Sequence, residues 1–392
     1  MNNSRKHPLL NPSYITLFFV NMIASISFSM VSTIMTLFLC DSGYTATLAG
    51  TVVGLLSVAA MVIRPVSGFI CDQVSRKRLL TIAMIGIMLS MVGYAMVTQL
   101  VLLYALRILH GICFSLVTTV TLAMVADCIP HDRRSQGMGL FSIGQTITLA
   151  LAPTLGLWLA ENISYTATFF GAAAFALISV LLSAMVYHEP KQASVISKTD
   201  AHKLTLNSFF AKETIWFAII AMSVSATTGI ENSFVVVYGR CLNARNVGWY
   251  FTLSAVALFV SRLTFGRMAD RYGMKYVLYP GLAVIAGAFI LMSRATSANQ
   301  MVVFALCAVL KALGLGAVQP TLQAASIEAV SEKRRGAASA TYYLGTDIGQ
   351  SAAPILGGIT ADAIGYSGMF MIFALPLLLT GAICAIHNKL KG

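Results

Sequence analysis

Residues 61–78 read MVIRPVSGFICDQVSRKR. A long apolar run carries Arg64, Gly68 and Asp72 at four-residue steps and then stops at three consecutive basic residues, Arg76, Lys77 and Arg78. Groups four apart share one side of a helix. The stretch is therefore the end of an apolar helix that meets a charged loop. The same figure returns at 261–275, SRLTFGRMADRYGMK, where Arg262, Gly266 and Asp270 stand 198 residues further on. Two other features repeat at nearly the same offset. Arg133-Arg134 returns as Arg334-Arg335, and Ala152-Pro153-xx-Gly156 returns as Ala353-Pro354-xx-Gly357, both after 201 residues. Matched features in the same order describe two copies of one design.

The composition says what those copies are made for. The chain has 392 residues, 57% apolar and only 10% charged. A soluble domain averages about 25% charged residues, because a globule needs a polar skin. A bilayer accepts an apolar skin, provided that every backbone polar group is satisfied within helices. Spans of about 20 apolar residues are read at 14–39, 46–70, 79–98, 101–125, 137–160, 165–187, 213–238, 246–268, 276–294, 300–326, 337–361 and 366–387. The expected fold is all-α and integral to the membrane, with twelve spans in two pseudo-symmetric six-helix halves. The halves are 1–187 and 213–392, joined by a polar cytoplasmic linker at 188–212. The first run is too long for a signal-peptide core and is read as a retained span.

Charge placement orients these spans. Of the 26 Lys and Arg, nineteen fall in the termini, the linker and alternate loops, against three in the opposite loops. The positive-inside bias puts both termini and the linker in the cytoplasm of a cell-membrane protein. The net charge of +12 is thereby explained by topology, and a nucleic-acid partner is not expected. The seven cysteines are scattered and form no CxxC pair. They are read as small apolar fillers, and no metal site is expected.

These motifs resemble those of a known family. Gly68-Phe-Ile-Cys71-Asp72-Gln73-Val-Ser75-Arg76-Lys77-Arg78 is similar to the loop signature of the major facilitator superfamily, Gly-x-Leu-Ala-Asp-Arg-x-Gly-Arg-Lys. Gly266-Arg-Met-Ala269-Asp270-Arg271-Tyr-Gly273-Met-Lys275 is its partner. The first copy departs at Gln73 and Ser75, the second at Met274. The resemblance implies that Asp72 and Arg76 latch the cytoplasmic side shut in one state, with Arg64, Gly68, Arg262, Gly266, Asp270 and Arg271 as the rest of the gating motif. Independently of the family, Arg64 and Arg262 can also snorkel to the interface.

The fifth span, Gly139-x8-Thr148-x3-Ala152-Pro153-xx-Gly156-Leu157, resembles the signature of the family's drug–proton antiporters, with Thr148, Ala152 and Leu157 replacing glycines. Gly349-x3-Ala353-Pro354-xx-Gly357-Gly358 in the eleventh span is the better copy. Small residues around a proline also suit ordinary close helix packing. In the fourth span, Arg107-xx-His110-Gly111 resembles an Arg-xx-Gln-Gly motif whose arginine the family links to proton coupling.

A charge inside the membrane is expensive and marks a functional candidate. Beyond Arg107 there are Glu231 beside Asn232 in the seventh span, Lys311 in the tenth, and Asp347 in the eleventh, where Tyr343 and Gln350 share its face. Low dielectric favours a neutral carboxyl group and a nearby cation favours the charged one. Glu231 is the first candidate for proton coupling and Asp347 the second. A structural pairing is equally open for Asp347. His110 is open to titration or to plain hydrogen bonding. Asn21 and Phe28, two turns apart in the first span, are candidates for lining a cavity.

The expected function is secondary active transport by alternating access, not enzyme catalysis. No Gly-xxxx-Gly-Lys-Ser/Thr loop occurs, so no cofactor is expected and the energy source is taken to be the proton gradient. The favoured activity is efflux by proton antiport of an amphiphilic or drug-like small molecule. The alternative is a proton-coupled carrier of a specific metabolite, such as a secreted metallophore or a sugar. Expected partners are the small-molecule substrate, protons and the lipid bilayer, with a monomer as the working unit.

Overall fold

The computed structural model describes residues 11–97, 99–129, 134–186, 211–244, 246–331 and 334–391. Most of the linker expected at 188–212 lies outside them. Among the described residues the chain is helical and free of strands. The helices are α1 (Pro12–Asp41), α2 (Ala46–Gln73), α3 (Arg76–Met96), α4 (Leu100–Cys128), α5 (Arg134–Asn162), α6 (Tyr165–Met185), α7 (Ile215–Cys241), α8 (Gly248–Tyr272), α9 (Lys275–Met292) and α10 (Gln300–Glu328). The last helical stretch, Arg335–Lys391, is broken at Gly365, where φ is 77°. That left-handed value is strained for a residue with a Cβ, and it divides the stretch into α11 (335–364) and α12 (366–391).

These helices run from 18 residues in α9 to 30 in α1. At ~1.5 Å per residue they match a hydrocarbon layer of ~30 Å. Among the described residues, nine helical stretches pass a spanning criterion of length and hydropathy, and the one at Ala337–Ala382 holds two limbs. Large apolar side chains point outward, among them Val62, Leu181, Met301 and Leu379, each at least 59% exposed. Such a surface suits lipid, and the protein is a multi-pass membrane protein.

Two compact units are present. The first comprises residues 1–31 and 59–200, the second 32–58 and 201–392. In the first, α3 packs against α4 and α6. Hydroxyls tie helices together where small residues bring them close. Ser27 donates to the Ala172 carbonyl, Thr168 to that of Gly156, and Tyr14 to that of Gly137 at 2.7 Å. Thr148, which replaces a glycine of the antiporter signature, donates to the Met22 carbonyl and so bridges α5 to α1.

In the second unit, α7 lies along α11 and α12, while α10 packs on α8 and α9. A core of Ile220, Val224, Leu282, Ile285, Val318 and Leu322 fills the space between α7, α9 and α10. The close approach of α7 and α11 rests on Gly345 and Gly349. A Cβ there would stand 2.2 Å from the Ala218 carbonyl oxygen and 2.1 Å from that of Met222. The distal parts of α1 and α2 belong to this unit too. Asp362, at the end of α11, accepts the backbone N–H groups of Ala46 at 3.0 Å and Thr47 at 2.7 Å. It thus caps the start of α2, where unpaired N–H groups and the helix dipole attract an anion.

Candidate functional site

The second unit holds a buried ion pair. Glu231 stands in the middle of α7, on a helix whose neighbours Ile230, Phe234 and Val235 are all buried. Lys311 comes from α10. Its Nζ pairs with Glu231 Oε2, and the two side chains are 5% and 4% exposed for Glu231 and Lys311. The ammonium also donates to Thr228 Oγ1 at 3.2 Å. Thr228 lies three residues before Glu231, so the helix turn itself brings acid and hydroxyl to the same cation. The Tyr250 phenol from α8 lines the same small space as Glu231 and Lys311. Val235, Phe289, Met292 and Phe370 complete an apolar wall, and no water-sized space remains between these groups.

Removing two ions from water costs several kcal/mol each, roughly, and mutual attraction offsets this only with good hydrogen bonding. Well-packed apolar residues would hold α7 to α10 at least as well. What the pair supplies beyond packing is a charged contact between α7 and α10.

The first unit holds a second polar cluster. Arg107 and His110, one turn apart on α4, are 1% and 0% exposed. Both meet Tyr94 of α3. The Arg107 Cζ lies 5.1 Å from the Tyr94 ring centre, and the Tyr94 hydroxyl is 3.1 Å from His110 Nδ1. Phe28 of α1 stacks on Phe114 with ring centres 4.3 Å apart and stands edge-on to His110. The structure therefore brings Phe28, Arg107 and His110 together.

The other candidates are placed as follows. Asn21 is buried on α1, Asn232 is partly buried beside Glu231, and Tyr343 is 47% exposed, its hydroxyl accepting from Gln323 Nε2 at 2.8 Å. Asp347 is partly buried on α11, and Glu231, not Asp347, takes Lys311. Arg64 is half-buried and Arg262 exposed. Arg76 forms an ion pair with Asp127 of α4 at 2.5 Å. Gly68, Asp72, Gly139, Gly266, Asp270 and Arg271 have helical backbone, but their side chains lie outside the described residues. Pro153, Gly156, Pro354 and Gly357 are buried in α5 and α11. A Cβ on Gly156 would meet the backbone of Met30, and one on Gly357 the side chain of Ile230.

Tyr94, Thr228 and Tyr250 were not foreseen. For Tyr94 the signal existed. α3 and α4 form a hairpin turning near Gln99, which sets the end of α3, with Tyr94, against the first turns of α4, with Arg107. Thr228 shares a face with Glu231. Nothing local marks Tyr250, which reaches the pair only through the packing of α8.

The Major Facilitator Superfamily model matches residues 17–244 and again 204–389. The chain belongs to this family. The Staphylopine export protein of Staphylococcus aureus is 26% identical over 350 residues, 85% of each chain. Multidrug resistance protein 1 of Bacillus subtilis is 23% identical over 323 residues, 80% of this chain and 82% of the other. The crystal structure of the nucleoside transporter NupG superposes with a TM-score of 0.79 at 15% identity, over 97% of this chain and all of that one. At that identity the likeness speaks for the fold alone. Family and fold are those of major facilitator membrane transporters, whose substrates are small molecules.

Proposed function

We propose that the protein is a proton-coupled antiporter that exports an amphiphilic or drug-like small molecule by alternating access. The observation that carries this reading is the buried Glu231–Lys311 pair with Thr228 and Tyr250 around it. A proton taken up by this carboxylate cancels its charge and loosens its hold on Lys311. Alternating access exposes such a group to each side in turn, and its protonation then follows the proton gradient. Both termini are cytoplasmic in this reading, following the placement of Lys and Arg. Support for export comes from the relatives named for multidrug resistance and for staphylopine export. Transport works from a monomer with no cofactor.

A second reading is a proton-coupled exporter of one specific metabolite. It is favoured by the relative named for staphylopine, whose match extends over 85% of this chain, and by the charged groups in both units.

The test is flux of candidate solutes in everted membrane vesicles with an imposed pH gradient. Accumulation that collapses when the gradient is dissipated supports proton antiport. Accumulation indifferent to the gradient overturns it.

A further inference from the structure

The Arg107 side chain is 1% exposed, yet its Nε and Nη2 atoms have no hydrogen-bond partner. These two atoms are neighbours on one edge of the planar guanidinium. Their N–H bonds run parallel, in the spacing that matches the two oxygens of a carboxylate. The remaining side of the group faces Tyr94. His110 Nε2, one turn along the same helix, is likewise buried without a partner. A charge left without an acceptor in such surroundings costs far more than a polar group in water, and a fold under no other demand would replace it.

We infer that the guanidinium edge of Arg107 is the anchor for a carboxylate on the transported solute, with His110 Nε2 meeting a second polar group beside it. Transport itself is taken from the function proposed above; what is added is the chemical class of the cargo. A carboxylate is matched to one guanidinium charge for charge. A phosphate carries about −1.5 to −2 and would leave excess negative charge among Tyr94, Phe28 and Phe114. The aromatic surroundings favour an organic acid with an apolar, preferably planar, body. Access to the anchor comes with the change of state that transport requires.

The experiment uses the full chain in lipid nanodiscs and matched probes: 2-naphthoate, indole-3-acetate and N-benzoylglycine, each beside its primary amide and its phosphonate analogue. Apparent Kd is read from the concentration dependence of the melting temperature. At least one acid is expected to bind about tenfold or more tightly than its amide, the return of a charge-assisted pair, and more tightly than its phosphonate. Arg107→Gln removes that preference, and Arg107→Lys keeps a weakened one. If every acid and amide bind alike or not at all, if phosphonates bind best, or if Arg107→Gln keeps the preference, the anchor is refuted. The ligand-free proteins give a second reading. Arg107→Gln is expected to melt above the wild type, because an unpartnered charge is gone; a lower melting point would show that the protein itself holds the guanidinium. Gradient-driven flux of neutral or cationic solutes alone would overturn the carboxylate anchor while leaving proton-coupled transport intact.

Discussion

Lys311 and Glu231, eighty residues apart in the chain, form an ion pair in which neither side chain is more than 5% exposed. The two opposite charges therefore face each other inside an apolar wall. Replacing one alone, by Glu231→Gln or Lys311→Met, strands a buried charge and is expected to cost about 3–5 kcal/mol. The double variant Glu231→Gln/Lys311→Met is expected to recover most of that loss. Thermal unfolding of the three variants in detergent checks this. Additive losses in the double variant would contradict an energetic pairing.

Two acidic residues at the ends of helices make contrasting contacts. Asp362 accepts two backbone N–H groups at the start of α2, and Asp362→Ala is expected to cost about 1 kcal/mol, the usual value of a helix cap. Asp41 pairs with Arg240 at 2.5 Å, but their side chains are 39% and 34% exposed. Exposed pairs contribute about 0–1 kcal/mol, so Arg240→Ala is expected to change the melting temperature less than Asp362→Ala does. Side-by-side thermal unfolding decides the order.

Gly349 and Gly287 provide a matched pair of substitutions. A Cβ on Gly349 would stand 2.1 Å from the Met222 carbonyl oxygen, a backbone atom that cannot step aside, whereas one on Gly287 meets nothing within 4 Å. Gly349→Ala is expected to lose about 1–3 kcal/mol as α7 and α11 are forced apart. Gly287→Ala is expected to gain about 0.5–1 kcal/mol through better helix propensity inside α9. The sign of each shift in melting temperature is the measurement.

The architecture was legible because hydropathy and repeat spacing report directly on helices in lipid. Runs of about 20 apolar residues can do little else, and the copies of Arg-xxx-Gly-xxx-Asp, 198 residues apart, mark the same place in each half of the repeat. The intramembrane charges were legible one by one, since Glu231, Lys311 and Asp347 each stand out in an apolar run. Their pairing was not. Whether Lys311 meets Glu231 or Asp347 depends on the rotation of three helices about their axes, which tertiary packing sets. The same holds for Tyr250, brought to the pair by α8, and for Asp362, whose cap reaches across more than 300 residues of sequence. The orphaned edge of Arg107 also needed coordinates, because a sequence shows a buried cation but not whether it has a partner.

Proton coupling at Glu231 has one direct test. Purified protein is placed in liposomes, and solute exchange is measured with and without a pH gradient for the wild type and for Glu231→Gln/Lys311→Met, the variant expected to keep its fold. The wild type should accumulate solute against its gradient in proportion to the pH difference, while the variant exchanges solute at equilibrium but accumulates none. Gradient-driven accumulation in the variant equal to that of the wild type would contradict a coupling role for Glu231.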